Sequence, residues 1–590
     1  MAKYTSFHFS PLNDRSMLMP RIPKGTKPVP GFRPPAAVET VPIDPANPYA
    51  QPNTGLFARE AEMGTHTRPY AIYAPHALPS KAPAALIFPD SGVTAEAFLR
   101  SGHWMALAEK HHVALIVLES ATWDREDISC EFDYAQKIVD LEYLGRTTVD
   151  ICEAFIYPMG FGDGAAIATA FALTYSATYP AFAADGDCAV DPELLEVLRG
   201  LPSDGVDTLK KTDIALPGFI VDRTGKADGT AAYMKEIIRA KEEGLSNGFA
   251  RVYLEQPRRG AYYVNEQPVA QVWIADAASV AGMDREALDE AMLTFVMRFA
   301  RWGGFGNNHL RPRRTLEEVG VERVHQTIEG LDRYWDVYVP SCYRPGDGKV
   351  YPLVLAIHGY SCNSEYFEQT SDWHRLAEER GFFVVFPSAY PQGGMLSRLQ
   401  LPRWACGPLT REGDISEIPY FEALLASVTG TYAIDPSRIY AVGHSNGGMM
   451  VQDLARLMPT RFAAFSPTGS LGAMRPGSVE PLPDAVRRPV WFMIGEYDLF
   501  SGDLAEGTVA WDTLAAYCAA NGMEMQVDNW VDNGAYHTLV MRNAACAPMV
   551  QFTVMRGCPH TYTAEMAQLT WDTYLCHFTR ESDGSVAYHG

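Results

Sequence analysis

Ser445 stands in Gly443-His-Ser445-Asn-Gly447, after the apolar run Ile439-Tyr-Ala-Val and before a helix-forming stretch. A serine at a tight strand-to-helix turn has its hydroxyl pushed up into a cleft, and small neighbours keep the adjoining backbone from colliding. The chemistry open to such a serine is acyl transfer. That requires a base for its proton, an anion to orient the base, and donors aimed at the developing oxyanion.

The chain offers these parts downstream of Ser445 in the order acid, then base. Pro489-Val-Trp-Phe-Met-Ile reads as a buried strand ending in Gly495-Glu-Tyr-Asp498, so Asp498 is the expected acid and Glu496 its competitor. Met549 to His560 reads as a last strand before a helix from Ala564 to Phe578, which puts His560 in the loop as the expected base. His537, in Gly534-Ala-Tyr-His, is the rival and reads as part of a hairpin. The oxyanion donors are expected to be the backbone N–H groups of Asn446 and of Tyr360, in the turn His358-Gly359-Tyr360-Ser361. His358 and His444 flank the site by sequence and suit positioning.

About thirty residues between Ser388 and Ile418 form a connection of the length that more often covers a site than idles. Trp404 and Met395 on it, with Tyr360 and His444, are expected to border the substrate in a pocket able to take an aromatic ring. The alternative for Trp404 is to pack the loop onto its domain. Arg403 would meet either an anionic group of the substrate or Asp414.

The elements that must position these residues alternate strand and helix from Arg68 onward: Ala84 to Pro89 apolar, a helix from about Ala95 to Lys110, then His112 to Leu118 apolar. Such alternation implies α/β architecture, a mostly parallel sheet with helices on both faces. The order returns after Leu331. Shifted by 269 residues, Pro352, Leu355, Phe367, Trp373, Leu376, Ala377 and Glu378 fall on Pro83, Leu86, Phe98, Trp104, Leu107, Ala108 and Glu109. Shifted by 283, Gly443-His-Ser445-Asn-Gly447 falls on Gly160-Phe-Gly162-Asp-Gly164. The reading is an internal duplication whose first copy has lost the hydroxyl at the elbow. Its base position falls on Val280 and its acid position on Gly225, so new chemistry at Asp163 is the weaker alternative to a structural role. The expected organisation is a proline-rich extended arm over 1–65, a non-catalytic domain over 66–304, a linker over 305–330 and a catalytic domain over 331–590.

Across 590 residues, 47% are hydrophobic and 20% charged, an ordinary balance for globular domains. A net charge of −22 argues against nucleic-acid or anionic-membrane partners, which would be repelled. A small or oligomeric substrate is the expected partner, and the arm or the first copy is where a homo-oligomer would form. The first 25 residues hold no continuous apolar run and no stretch of 18 uncharged apolar residues occurs, so a cytoplasmic location is expected unless a leader has been removed. Ten cysteines without CxxC or Cys/His metal spacing read chiefly as reduced thiols, with one or two bridges left open in the second half.

The His358-Gly359 turn, Tyr432-Ala-Ile-Asp435-Pro-Ser-Arg-Ile439-Tyr-Ala-Val-Gly, Ser445-Asn-Gly-Gly-Met-Met and Gly557-Cys-Pro-His560 resemble the polyhydroxybutyrate depolymerases and related feruloyl and acetylxylan esterases over residues 333–580. The resemblance implies tandem α/β-hydrolase folds, the second complete and the first degenerate. It also implies serine-dependent hydrolysis of carboxylic esters with no metal or organic cofactor. The missing secretion leader and polymer-binding module point to a soluble ester or oligomer, feruloyl-type or hydroxyacyl, rather than a solid polymer. A serine peptidase and a non-catalytic binding protein are the competing readings.

Overall fold

The computed structural model describes residues 41–203, 206–241, 244–257, 267–302, 309–393, 397–482 and 486–590. The proline-rich stretch up to residue 40 and Met395 lie outside the described residues. The described residues form two compact units: those of 41–314 together with 393 and 397–400, and those of 315–392 together with 401–590.

The first unit is built on a ten-stranded sheet. In chain order its strands are β1 (Gly55–Glu62), β2 (Thr67–Ala74), β3 (Ala82–Phe88), β4 (Ala114–Leu118), β5 (Ile151–Gly162), β6 (Phe182–Gly186), β7 (Gly218–Asp222), β8 (Leu245–Ser246), β9 (Arg251–Leu254) and β10 (Gln271–Asp276). Their spatial order is β1-β2-β4-β3-β5-β6-β7-β10-β9-β8. The six strands from β4 to β10 are parallel, and antiparallel strands extend the sheet at each side. β3 and β4 are buried at every position, as continuous apolar runs covered by helices on both faces should be.

The second unit has its own ten-stranded sheet. Its strands are β11 (Val321–Ile328), β12 (Leu331–Tyr338), β13 (Tyr351–Ile357), β14 (Phe383–Pro387), β15 (Ile434–His444), β16 (Ala464–Thr468), β17 (Val490–Tyr497), β18 (Trp530–Asn533), β19 (Tyr536–Met541) and β20 (Val550–Pro559). The order β11-β12-β14-β13-β15-β16-β17-β20-β19-β18 repeats the first sheet position for position. These are tandem α/β-hydrolase folds.

The likeness extends to register. Ala84 lies opposite Ile156 and Leu353 opposite Ile439, which are the same positions under the shifts of 269 and 283. Each sheet carries a register shift at a matching place, between Ala82 and Ala84 and between Tyr351 and Leu353, and the second sheet has another between Gly495 and Tyr497. Side-chain anchors match as well. The Glu109 carboxylate accepts from Tyr73 OH and the His76 N–H, and that of Glu378 from Tyr338 OH and the Ser341 N–H, which explains the glutamate shared by the two WxxLAE helices. Tyr157 OH donates to Phe299 O and Tyr440 OH to Phe578 O, each over 2.8 Å.

Three expectations about elements need correction. The helix expected from Ala95 to Lys110 is two, Ala95–Arg100 and Trp104–His111, interrupted at Ser101-Gly102-His103. β1 forms within the stretch expected to be arm, because prolines end at Pro52 and an edge strand needs only one hydrogen-bonded side. β11 likewise forms within the expected linker as the edge strand of the second sheet. Among the described residues no helix is long and apolar enough to cross a membrane, and all ten cysteines are unbridged.

Candidate active site

β15 lies between β13 and β16 in parallel register, and Ile439 to Gly443 are buried. Chain direction reverses at once into the helix Asn446–Leu457, and Ser445 absorbs the turn at φ 57°, ψ −121°. A non-glycine residue there costs on the order of 1–3 kcal/mol and persists only where its surroundings over-determine it. They do so here: the Ser445 N–H donates to Thr468 O on β16 (2.8 Å) and Ser445 O accepts from the Met449 N–H (3.0 Å). Gly447 permits the turn, because a Cβ there would lie 2.2 Å from Ile357 O on β13.

Ser445 Oγ–H donates to His560 Nε2 over 2.8 Å, and His560 Nδ1–H donates to Asp498 Oδ1 over 2.8 Å. A carboxylate accepts only, so Asp498 sets the proton on Nδ1 and leaves Nε2 as the acceptor facing the hydroxyl. The three groups come from the end of β15, the loop after β17 and the loop after β20. Asp498 is 1% exposed. Burial opposes its charge, but the His560 ring beside it outweighs burial and holds the carboxyl below its usual range. Gly495 lets the two strand ends meet, since a Cβ there would lie 2.4 Å from Cys558 O.

The competitors lie elsewhere. Glu496 is exposed and accepts from the Gly557 N–H (2.8 Å). His537 sits on β19, paired with Asp532 (2.7 Å) and stacked on Trp530. The His444 ring lies 4.7 Å from that of His560. Burial, and then the nearby His560, push the pKa of His444 down to about 3, so it adds no second charge beside the His560 ring.

Asn446 is the first residue of its helix, so its N–H is one of those without an intrahelical acceptor and points out of the helix end. The turn carrying Tyr360 lies against the serine: a Cβ on Gly359 would sit 3.3 Å from Ser445 Cβ and 3.9 Å from its Oγ. Tyr360 is half-buried.

Trp404 corrects the expectation that it borders the substrate. It is fully buried, with its indole N–H donating to His358 O (2.8 Å) and its backbone N–H to Asn446 Oδ1 (2.7 Å). The indole carries the one hydrogen-bond donor on an otherwise apolar ring, and that donor reaches a carbonyl deep under the site. Arg403 is buried as well and pairs with Asp414 rather than facing a ligand. The brace formed by Trp404 and Asn446 was not visible in sequence, because its partners are 42 residues apart and one contact is to main chain. Gly469 was missed for a similar reason: a Cβ there would lie 2.5 Å from the His444 ring and 3.1 Å from that of His560.

Residues 329–549 match the family model described as Esterase, putative esterase. The chain is 30% identical over 139 residues to the bifunctional acetylxylan esterase/xylanase XynS20E of Neocallimastix patriciarum, covering 24% of this chain and 18% of that protein. It is 28% identical over 198 residues to poly(3-hydroxyalkanoate) depolymerase C of Paucimonas lemoignei, covering 31% and 41%. It is 25% identical over 132 residues to feruloyl esterase B of Talaromyces funiculosus, covering 22% and 34%. The chain thus spans less than half the length of each of these relatives. Its strand order and elbow turn are those of an α/β-hydrolase fold, and most of the second unit lies within the stretch that matches the esterase family model.

Proposed function

We propose that the second unit is a serine-dependent carboxylic ester hydrolase that works through an acyl-enzyme at Ser445, on hydroxycinnamoyl or hydroxyacyl esters. The observation that carries this reading is the hydrogen-bonded line from Ser445 through His560 to Asp498. In the reaction His560 Nε2 takes the hydroxyl proton as Ser445 Oγ bonds to the ester carbon. The carbonyl oxygen gains the charge and is met by the N–H groups of Asn446 and Tyr360. Collapse breaks the bond to the alcohol, which leaves with the proton from His560. Water, deprotonated by the same ring, then releases the acid and restores Ser445. The similarity to a poly(3-hydroxyalkanoate) depolymerase, a feruloyl esterase and an acetylxylan esterase/xylanase supports an ester substrate of this range.

The first unit reads as a decayed duplicate with no acyl-transfer activity of its own. Its matched register and anchors support common origin, and Gly162 stands where Ser445 stands. The strand register and the helix caps Asp284 and Thr563 put the position opposite His560 at Ala281 or Gly282, slightly beyond Val280, and neither carries a ring.

A fluorophosphonate probe should label Ser445 and nothing in the first unit. Ser445→Ala should lower turnover of p-nitrophenyl acetate by on the order of 10⁴–10⁶ if the three residues act as a unit. A loss below about tenfold would end the assignment. Methyl ferulate, acetylated xylo-oligosaccharides and hydroxybutyrate oligomers, compared by kcat/KM, select the substrate class.

A further inference from the structure

The two units carry the same turn after β3 and after β13, and they use it differently. Gly92 and Ser361 correspond and both have positive φ (78° and 60°), and the helix caps Thr94 and Asn363 that follow also correspond. Ser91 is therefore the counterpart of Tyr360, Asp90 of Gly359, and Asp163 of Asn446. Trp123 is the counterpart of Trp404: its indole N–H donates to Pro89 O (2.7 Å) as that of Trp404 donates to His358 O (2.8 Å).

In the first unit both positions that would hold an oxyanion are taken by carboxylates of the chain itself. The Ser91 N–H donates to Asp163 Oδ1 (2.7 Å), and the Ser91 hydroxyl donates to the other oxygen of the same carboxylate. The Asp163 N–H donates to Asp90 Oδ1 (2.9 Å). The nucleophile's place is filled too, since a Cβ on Gly162 would lie 2.2 Å from the Asp90 carboxyl. The tryptophan backbone N–H is served by Ser91 Oγ (3.2 Å), so Asp163 is not needed there.

In the second unit the side chain after the nucleophile has other work. Asn446 Oδ1 accepts from the Trp404 N–H (2.7 Å) and Nδ2 donates to Trp404 O (3.0 Å) and to Cys406 Sγ (3.3 Å). An amide can return both a donor and an acceptor to one backbone residue, and a carboxylate cannot. The same indole holds the His358 carbonyl, so one tryptophan ties the helix start to the turn bearing Tyr360.

We propose that Asn446 is a positioning residue that acts through Trp404, and that the amide at this position is what keeps the chain's own side chain out of the oxyanion site. A carboxylate there would lose the donor half of its bond to Trp404 and turn onto the Tyr360 N–H, as Asp163 does onto Ser91. The proposal rests on the ester-hydrolase reading for its kinetic consequence and on geometry alone for its structural one.

The test uses the full chain and two substitutions. Asn446→Asp should lower kcat by on the order of 10²–10³ with KM little changed, and should weaken a trifluoromethyl ketone, whose serine adduct carries the oxyanion, in the same proportion. Asn446→Ala removes the brace without supplying a plug, so it should lose about tenfold in both quantities. A crystal structure of Asn446→Asp should show the new carboxylate on the Tyr360 N–H. Equal losses in the two variants, or a carboxylate still seated on Trp404, would overturn the plug. Wild-type affinity of Asn446→Ala for the ketone would overturn the brace, and does so even if the aspartate variant fails to fold. An inactive wild-type protein would instead sink the ester-hydrolase reading, leaving the crystallographic outcome to decide this one.

Discussion

His358 shows how single residues around the serine trade stability for geometry. It is fully buried, its Nδ1–H donating to Gly359 O (2.7 Å) and its Nε2 accepting from the Ala389 N–H (3.0 Å), so the ring works only as the neutral species. Burial pulls its pKa down to about 4. The unfolded chain, with a value of about 6.5, binds more protons between those limits. The stability that depends on a neutral ring is therefore whole above the upper limit and lost as pH falls toward the lower one. His358 alone should cost the second unit about 2 kcal/mol between about pH 7 and pH 5. Urea unfolding at the two pH values reads this, and His358→Gln should flatten the slope by that amount. An unchanged slope would show that the ring is protonated in place.

At the scale of elements, each sheet is tied to its flanking helix by a buried ion pair in matching positions. Arg333 meets Glu417 at 2.8 Å, with both side chains 1% exposed and the guanidinium 4.0 Å from the Tyr420 ring. Arg68 meets Glu131 at 2.8 Å and lies 3.7 Å from the Tyr134 ring. Glu417 also accepts from Gln392 Nε2 and from the Ala405 N–H, so it fastens the long connection that carries Trp404. Glu417→Ala would strand the Arg333 charge and should cost about 3–5 kcal/mol in denaturant unfolding. Glu131→Ala should cost less, because Arg68 is 15% exposed and can reach water. Equal losses would mean that packing, rather than the stranded charge, sets the penalty.

For the whole molecule, the comparison of units predicts that activity cannot be moved from one to the other by restoring the nucleophile. Gly162→Ser combined with Ser445→Ala should stay at the level of Ser445→Ala in p-nitrophenyl acetate turnover and in fluorophosphonate labelling. Asp90 occupies the space of the new side chain, and Asp163 already holds the Ser91 N–H. Labelling at position 162 would show that the carboxylates yield, and that the first unit is closer to active than its hydrogen bonds imply. Net charge of −22 adds a test of partners: binding to duplex DNA should be undetectable at moderate salt.

The amino-acid sequence by itself determined the strand-helix alternation, the two shifts of 269 and 283 that the sheet registers reproduce, and the order of Ser445, Asp498 and His560 along the chain. Those features are legible because strand burial, turn sterics and chain order are written in local residue types. Only the tertiary structure decided that Trp404 braces rather than lines the site, that Asn446 turns to it while Asp163 turns to Ser91, and that β1 and β11 begin where arm and linker were expected. Each of these depends on which backbone group lies across from a side chain tens of residues away, and spacing along a chain does not encode that distance.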